Sequence, residues 1–168
     1  MGISMRVVMV TDEQIRDLRK DSDSHQSLVN LFHKPDFCYL ADYWDGIHFM
    51  LTGERESSDS PLSVLKKGDV DFSGDADFSK RRTESTHAVY SAKVEAFDHA
   101  LRRLAEPVLA ERHNKLNSSF YPGRFWRSPD TDGSFLLEIT AYFKRLHDIA
   151  EKAAKQKMGL IFYRYEDL

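Results

Sequence analysis

The stretch YWDGIHFMLTG, residues 43–53, carries the clearest structural pattern in the chain. Its apolar positions recur at i, i+3, i+4 and i+7, the spacing of one face of an α-helix, and they are Trp44, Ile47, His48 and Leu51. Gly53 follows Thr52 and suits the left-handed residue that ends many helices. The stretch therefore predicts a helix from about Leu40 to Leu51 whose apolar face is turned toward a protein core.

His48 on this face has two interpretations. Asp45 precedes it by three positions, so a carboxylate and an imidazole share one edge of the helix, as in a general-base pair. This interpretation predicts a small hydrolase-like enzyme that uses Asp45 and His48 in a cleft beside Trp44. The sequence offers no G-x-S-x-G nucleophile motif and no paired cysteine and histidine to complete such a site. We therefore favour the alternative, in which His48 is a core residue with its polar atoms satisfied.

Strand-forming residues dominate both ends of the chain, at 3–10 and at 160–165. After the first of these segments, Thr11 and Gln14 have the spacing of a capping box, which predicts the start of a helix. We expect the two terminal strands to lie side by side in one small sheet.

Three more helices are predicted between these ends. Ser91 is expected to be the N-cap of an amphipathic helix, and Pro107 stands in the first turn of another. A long helix runs from Ser134 to a cationic last turn that ends near Gly159. Because strands and helices do not alternate regularly, the fold class is α+β. We expect a single compact domain over residues 1–168, with a small sheet that includes both terminal strands and packs against several helices.

The amino-acid composition and net charge argue against several classes of function. The net charge of −3 and the dispersed Lys and Arg residues argue against nucleic acid as a partner. No apolar run approaches the roughly 20 residues that cross a bilayer, so no membrane association is expected. Cys38 is the single cysteine, which excludes an internal disulfide and favours a reducing, cytoplasmic setting. Phosphate-binding glycine motifs and helical zinc spacings are absent, so no cofactor is expected.

The acidic duplication DVDFSGDADFSK, residues 69–80, has the spacing of a calcium-binding loop. Asp69, Asp71 and Asp77 occupy ligand positions 1, 3 and 9 of the twelve-residue EF-hand pattern. Position 12 should be a bidentate glutamate but is Lys80, whose positive charge opposes cation binding. A solvated acidic loop is the interpretation we favour, and calcium binding is the alternative.

The stretch SSFYPGRFWRSP, residues 118–129, combines aromatic and arginine side chains, the residue types that dominate the binding energy of protein–protein interfaces. The candidate partner-binding residues are Tyr121, Arg124, Phe125, Trp126 and Arg127. Considered alone, the loop is more typical of aromatics that pack onto the core, with Tyr-Pro-Gly forming a simple turn, and partner binding is the alternative. Stacking on single-stranded nucleic acid is the least favoured alternative because of the net charge.

Several of these stretches, in this order, resemble the bacterial YfbM-like family, a domain of unknown function (DUF1877). The resemblance covers nearly the whole chain, and its most specific part is the WDGIHFMLTG block. The family's characteristic positions here are Trp44, His48, Leu51, Thr52, Gly53, Pro61, Leu62, Tyr121, Pro122 and Gly123. The resemblance implies a compact α+β domain without an established activity. The acidic duplication departs from the family pattern, because relatives are glycine-rich after the Pro-Leu-Ser element.

We expect the protein to be a non-enzymatic interaction module of the stress or toxin-antagonist type, with another protein as its partner. The partner face is predicted at the aromatic loop, residues 120–127. The alternative is the hydrolase-like enzyme built on Asp45 and His48.

Overall fold

Strands from the two ends of the chain lie side by side at the centre of one antiparallel sheet. The computed structural model describes residues 3–20, 27, 30–31, 37–72, 85–116 and 134–166. The strands are β1 (Ile3–Val10), β2 (Phe37–Ala41), β3 (Val70–Asp71), β4 (Ser85–Val89) and β5 (Gly159–Glu166). The helices are α1 (Asp12–Lys20), α2 (Trp44–Thr52), α3 (Ser91–Arg103), α4 (Glu106–Lys115) and α5 (Ser134–Lys155), with a 3₁₀ turn at Pro61–Ser63.

The described strands follow the order β2-β1-β5-β4-β3. β1 and β5 pair antiparallel along their whole length, from Ile3 opposite Glu166 to Val10 opposite Gly159. This pairing confirms the prediction that the terminal strands are neighbours. β2 pairs only with β1 in this order, so it is an edge strand of the described sheet.

The main core lies on one face of the sheet, beneath α2, α3 and α5. Because side chains alternate along a strand, Met5 and Val7 of β1 and Leu160 and Phe162 of β5 all point to this face. The helices contribute fully buried residues at helical spacing: Ile47, Leu51, Val94, Phe97, Leu146, Ala150 and Ala153. The opposite face carries a smaller core, in which α1 packs Ile15 and Leu18 against β1.

The N-terminus of α1 has the predicted capping box. The backbone N–H of Thr11 donates to Gln14 Oε1 at 2.8 Å, and the N–H of Gln14 donates to Thr11 Oγ1 at 3.1 Å. Two N–H groups that lack helical partners are thereby satisfied.

The N-terminus of α3 is capped differently from the prediction. Ser91 is the first helical residue, after Tyr90 in extended conformation. The carboxylate of Asp12 accepts the Ser91 N–H at 2.8 Å and the Ser91 hydroxyl at 2.7 Å. The prediction of Ser91 as N-cap was wrong because the cap comes from α1, which is distant in sequence.

α2 begins later than predicted, at Trp44 instead of about Leu40. Leu40 belongs to β2, because its neighbours pair with β1 from Phe37 opposite Val8 onward. Ala41 then adopts a positive φ of 48°, which turns the chain from the strand into the helix.

α5 ends at Lys155, and its left-handed residue is Lys157 (φ 53°) instead of Gly159. The N–H of Met158 closes the helix end by donating to the carbonyl of Ala153 at 2.9 Å. Gly159 is the first residue of β5, where a Cβ would lie only 2.5 Å from the Val89 carbonyl oxygen and 2.6 Å from Ile15 Cδ1. A glycine is required there by close packing and not by helix termination.

Candidate functional site

The predicted inward face of α2 is buried. Ile47, His48 and Leu51 have no exposed surface, and Trp44 is 8% exposed. The Trp44 indole N–H donates to the carbonyl of Ile3 at 2.8 Å, which ties α2 to the start of β1. The prediction that this face of α2 lies in the core is therefore confirmed.

His48 is held by the loop that follows its own helix. Its Nε2 lies 3.1 Å from the carbonyl oxygen of Glu56, to which it donates. Within the described part of the chain, Nδ1 has no hydrogen-bond partner. Burial lowers the pKa of His48 below its usual value, with the hydrogen bond to Glu56 opposing this shift and the nearby Lys66 adding to it. The imidazole is thus neutral and closed off from solvent.

Asp45 is engaged by a lysine. Lys66 Nζ lies 2.6 Å from Asp45 Oδ1 and donates to the carbonyl of Arg55 at 2.5 Å. The same ammonium lies 5.7 Å from the centre of the Trp44 ring. Asp45 therefore helps to anchor the loop after α2, and neither nitrogen of His48 is bonded to it in the described structure. The catalytic prediction for Asp45 and His48 gains no geometric support.

The end of the block closes α2. Thr52 Oγ1 lies 2.9 Å from the carbonyl of His48 and accepts the N–H of Glu54 at 3.1 Å. Gly53 has a φ of 74°, and its N–H donates to the carbonyl of Phe49. Arg112 of α4 donates to the carbonyls of Met50 at 2.9 Å and Leu51 at 2.5 Å, which places a cation at the negative end of the helix. The residues typical of the family in this block thus each have a structural role.

Two of the three candidate calcium ligands, Asp69 and Asp71, lie in the described part of the chain. Asp69 caps α3: Oδ2 accepts the Tyr90 N–H at 2.9 Å, and Oδ1 lies 3.4 Å from Lys93 Nζ. Asp71 is exposed on β3, opposite His87, and Asp77 lies outside the described residues. Among the residues that the structure describes, no three His, Cys, Asp or Glu side chains form a group suited to a metal ion. Calcium binding stays a prediction.

The aromatic loop also lies outside the described residues. This applies to all of its candidate partner-binding residues, which are Tyr121, Arg124, Phe125, Trp126 and Arg127. Their role stays a prediction from the sequence.

The described structure contains a second surface rich in aromatic and arginine residues, between the edge strand β2 and one flank of α5. We call it the β2–α5 groove, and its cavity is about 450 Å³. It is lined by Met9, Phe37, Cys38, Tyr39, Arg145, Asp148, Ile149 and Lys152. A cavity of this size falls within the usual range for binding sites in proteins.

The inner part of the groove is apolar, and its rim is charged. Cys38 is only 6% exposed, whereas the ring of Phe37 is 40% exposed. Burial raises the pKa of the Cys38 thiol to about 12, against a smaller opposing effect of Arg145. The thiol is therefore protonated and unreactive at neutral pH, so it serves as an apolar surface and not as a nucleophile.

Two stacked tyrosines outside the groove contact residues that line it. The rings of Tyr43 and Tyr142 stack with centroids 5.0 Å apart, and Tyr39 meets Tyr142 edge-on at 6.5 Å. The guanidinium of Arg145 lies 5.0 Å from the centre of the Tyr142 ring. The hydroxyl of Tyr43 donates to the Glu138 carboxylate, and burial together with this bond raises the pKa of Tyr43. α5 and β2 are thereby joined by a cluster of aromatic side chains.

Arg6 also packs against aromatic rings, on the other face of β2. Its guanidinium carbon lies 5.4 Å from the ring centre of Phe37 and 5.1 Å from that of Tyr165, and its Nε donates to the Tyr165 hydroxyl at 3.0 Å. Phe37 therefore contacts Arg6 and also lines the β2–α5 groove.

Sequence reasoning missed this groove because its two sides are about 100 residues apart in the chain. The local signal was present in FCYLA, residues 37–41, where aromatic side chains alternate with buried ones. The prediction of a helix from Leu40 concealed that alternation.

The antiparallel sheet with helices on both faces defines a single compact α+β domain. A family model described as Domain of unknown function (DUF1877) matches residues 1–163, and the chain belongs to this family. Among solved structures the chain is similar to YfbM from Escherichia coli, a protein of unknown function, with a TM-score of 0.71 and 20% sequence identity over 96% of this chain and 99% of that one. At this identity the likeness shows the fold alone. No curated protein matches the chain, and none of the described helices is both long and apolar enough to traverse a bilayer.

Proposed function

We propose that this protein is a non-enzymatic protein-interaction module and that the β2–α5 groove is its partner-binding face. The observation that carries the proposal is the clustering of Phe37, Tyr39 and Arg145 around a cavity at the edge of the described sheet. Tyr, Phe, Met and Arg are enriched in protein interfaces, and Tyr and Arg are frequent among their most important residues.

The engagement of Asp45 and His48 supports an interaction role over the hydrolase alternative. Asp45 is paired with Lys66, and His48 is buried against the Glu56 carbonyl. Both side chains hold the loop after α2 in place. A general base must reach the proton that it abstracts, which a fully buried neutral imidazole does not do.

The contacts between α5 and the turn after β2 also support a binding role for the groove. The Tyr43–Tyr142 stack and the hydrogen bond from Tyr43 to Glu138 hold α5 against the turn after β2. A preformed surface loses less conformational entropy when a partner binds. The proposal retains the cytoplasmic setting expected from the single cysteine, which is a free thiol at Cys38.

The amino-acid composition of the aromatic loop also supports an interaction role. Its residues Tyr121, Arg124, Phe125, Trp126 and Arg127 have the same hot-spot composition as the groove. We assign them a second partner-contacting role, which a Tyr121→Ala/Trp126→Ala double variant tests separately from the groove.

Photo-crosslinking followed by binding measurements tests the proposal. Phe37 is replaced by p-benzoyl-phenylalanine, and Val108 on α4, which is 36% exposed, is replaced in the same way as a control. We expect one protein from the native cells to be crosslinked from position 37 and not from position 108. The purified partner should then bind wild type with a Kd that rises at least about tenfold in the Arg145→Glu variant.

Lys144→Glu is the matched control, because it makes the same charge change at the neighbouring exposed position of α5 and does not line the groove. Partner binding should be unchanged in this variant. Equal crosslinking from both positions, or equal Kd values for wild type and Arg145→Glu, would show that the β2–α5 groove is not the partner-binding face.

A further inference from the structure

We propose that the partner enters the β2–α5 groove as an extended polypeptide segment, which adds a strand to β2 and directs an acidic side chain at Arg145. This inference rests on the proposed function and specifies the chemistry of the partner at the same site.

The first argument is that β2 lies at the edge of the described sheet. In the described sheet β2 pairs with β1 alone, with Cys38 opposite Val7 and Tyr39 opposite Arg6. In an antiparallel pair, every second residue directs its backbone N–H and C=O away from its neighbour. Such an edge can accept an extended peptide through main-chain hydrogen bonds.

The second argument is the shape of the surface beside that edge. Residues of β2 alternate between the two faces, so Cys38 points toward α5 and the main core while Phe37 lies beside Arg6 on the other face. A strand added to β2 would alternate in the same way. One set of its side chains would enter the groove beside Cys38 and Ile149, and the other set would lie beside Phe37.

The third argument is charge. Arg145 and Lys152 lie two helical turns apart on α5 and both line the groove, with Asp148 between them. The groove is therefore a net positive site on a chain whose net charge is −3. Among the described residues, the contact recorded for the Arg145 guanidinium is the face of Tyr142. Its N–H donors are placed to bind a carboxylate.

The same charges disfavour a second copy of this chain as the occupant. A two-fold contact through β2 would bring the same net positive flank of α5 from both copies to one interface. An acidic extended segment fits both the edge strand of the described sheet and the guanidinium of Arg145.

Fluorescence anisotropy with labelled nine-residue peptides tests the inference. The probe alternates valine and threonine and carries glutamate at its centre, in a valine position. Two further probes carry glutamine or lysine there. We expect the glutamate peptide to bind at least about tenfold more tightly than the lysine peptide. Arg145→Glu should reverse this order, and Lys144→Glu should preserve it.

Backbone methylation tests the added strand itself. Two versions of the glutamate peptide are N-methylated, one at the odd and one at the even positions. Since only one set of N–H groups can face β2, one version should lose binding at least about tenfold more than the other. Thermal unfolding of Arg145→Glu, an exposed substitution, verifies that this variant is folded.

The outcomes separate this inference from the proposed function. Equal binding of the two methylated peptides, or no binding of any probe at millimolar concentration, would overturn strand addition, while a partner crosslinked at Phe37 would still uphold the interaction module. A concentration-dependent dimer in sedimentation experiments that Arg145→Glu abolishes would overturn the inference in favour of self-association.

Discussion

The imidazole of His48 lies on the apolar face of α2 and donates from Nε2 to the carbonyl of Glu56 in the loop that follows. A side chain without a hydrogen-bond donor at this position would leave the Glu56 carbonyl without this partner. The side chain therefore joins one helix to the loop that follows it.

We expect His48→Ala to lower the free energy of unfolding by about 1–3 kcal/mol, because a buried hydrogen bond and core packing are lost together. His99, exposed on α3, is the control, and His99→Ala should change stability by less than about 0.5 kcal/mol. Urea denaturation of both variants measures the difference. A loss for His48→Ala as small as that of the control would contradict the structural role.

At the scale of elements, carboxylates and cations from distant segments close the helix ends. Asp12 and Asp69 accept the backbone N–H groups of Ser91 and Tyr90 at the positive end of α3. Arg112 donates to carbonyls at the negative end of α2. Both arrangements follow the helix dipole and also fix how neighbouring elements pack.

The end of α5 offers a test at this scale. Lys157 has a φ of 53°, a left-handed conformation that costs a residue with a Cβ more than it costs glycine. We expect Lys157→Gly to raise the free energy of unfolding by about 0.5–1 kcal/mol. Chemical denaturation measures the change.

Lys155→Gly is the matched control for this prediction. Lys155 is the last helical residue of α5 and pairs with Glu151 at 2.9 Å, so glycine there should lower stability by up to about 1 kcal/mol. Destabilisation by both substitutions would show that Lys157 is not strained in solution.

At the scale of the whole molecule, buried neutral histidines couple the fold to pH. His87 of β4 donates to the Val64 carbonyl at 2.6 Å and stacks on Phe162, with ring centres 5.1 Å apart. Burial lowers the pKa of His87 to about 4, against the opposing hydrogen bond to Val64 and with a smaller contribution from Arg164. The ring therefore stays neutral in the folded protein where an unfolded chain would bind a proton.

The pKa of His87 is lower in the folded than in the unfolded protein, and this difference sets the direction in which stability changes with pH. Above the unfolded pKa of about 6.5 both states hold a neutral His87, so the full contribution to stability is present. Between that pH and about 4, the unfolded state binds more protons, and stability falls as pH falls. We expect His87 to account for a loss of about 2 kcal/mol between pH 7 and pH 5.

Urea denaturation of wild type and His87→Gln across this pH range measures the contribution. Glutamine retains a donor for the Val64 carbonyl but does not titrate. Between pH 7 and pH 5 the free energy of unfolding of the variant should therefore fall by about 2 kcal/mol less than that of wild type. Parallel curves for wild type and His87→Gln would contradict the prediction.

Much of the fold was predictable from local patterns. The Thr11–Gln14 capping box, the two terminal strands and the inward face of α2 are all found in the structure. The errors fall at boundaries. Leu40 was assigned to α2 because its helical spacing extends from Trp44, but pairing with β1 holds it in a strand.

The candidate site was predictable only in part. The Asp45–His48 pair was visible as a sequence spacing, but Lys66 and Glu56, which engage these two side chains, are not indicated by any local pattern. Asp69 matched a calcium-loop position, yet in the structure its carboxylate caps α3.

The sequence by itself determined the α+β class, the terminal strands and the apolar face of residues 44–51, because periodicity and capping depend on neighbours within a few positions. Only the tertiary structure decided that Asp12 caps α3 and that Arg145 meets Cys38 and Phe37 in a groove. These contacts join segments separated by about 80 to 100 residues, and they exist only because β1 lies between β2 and β5 and α5 packs across the sheet.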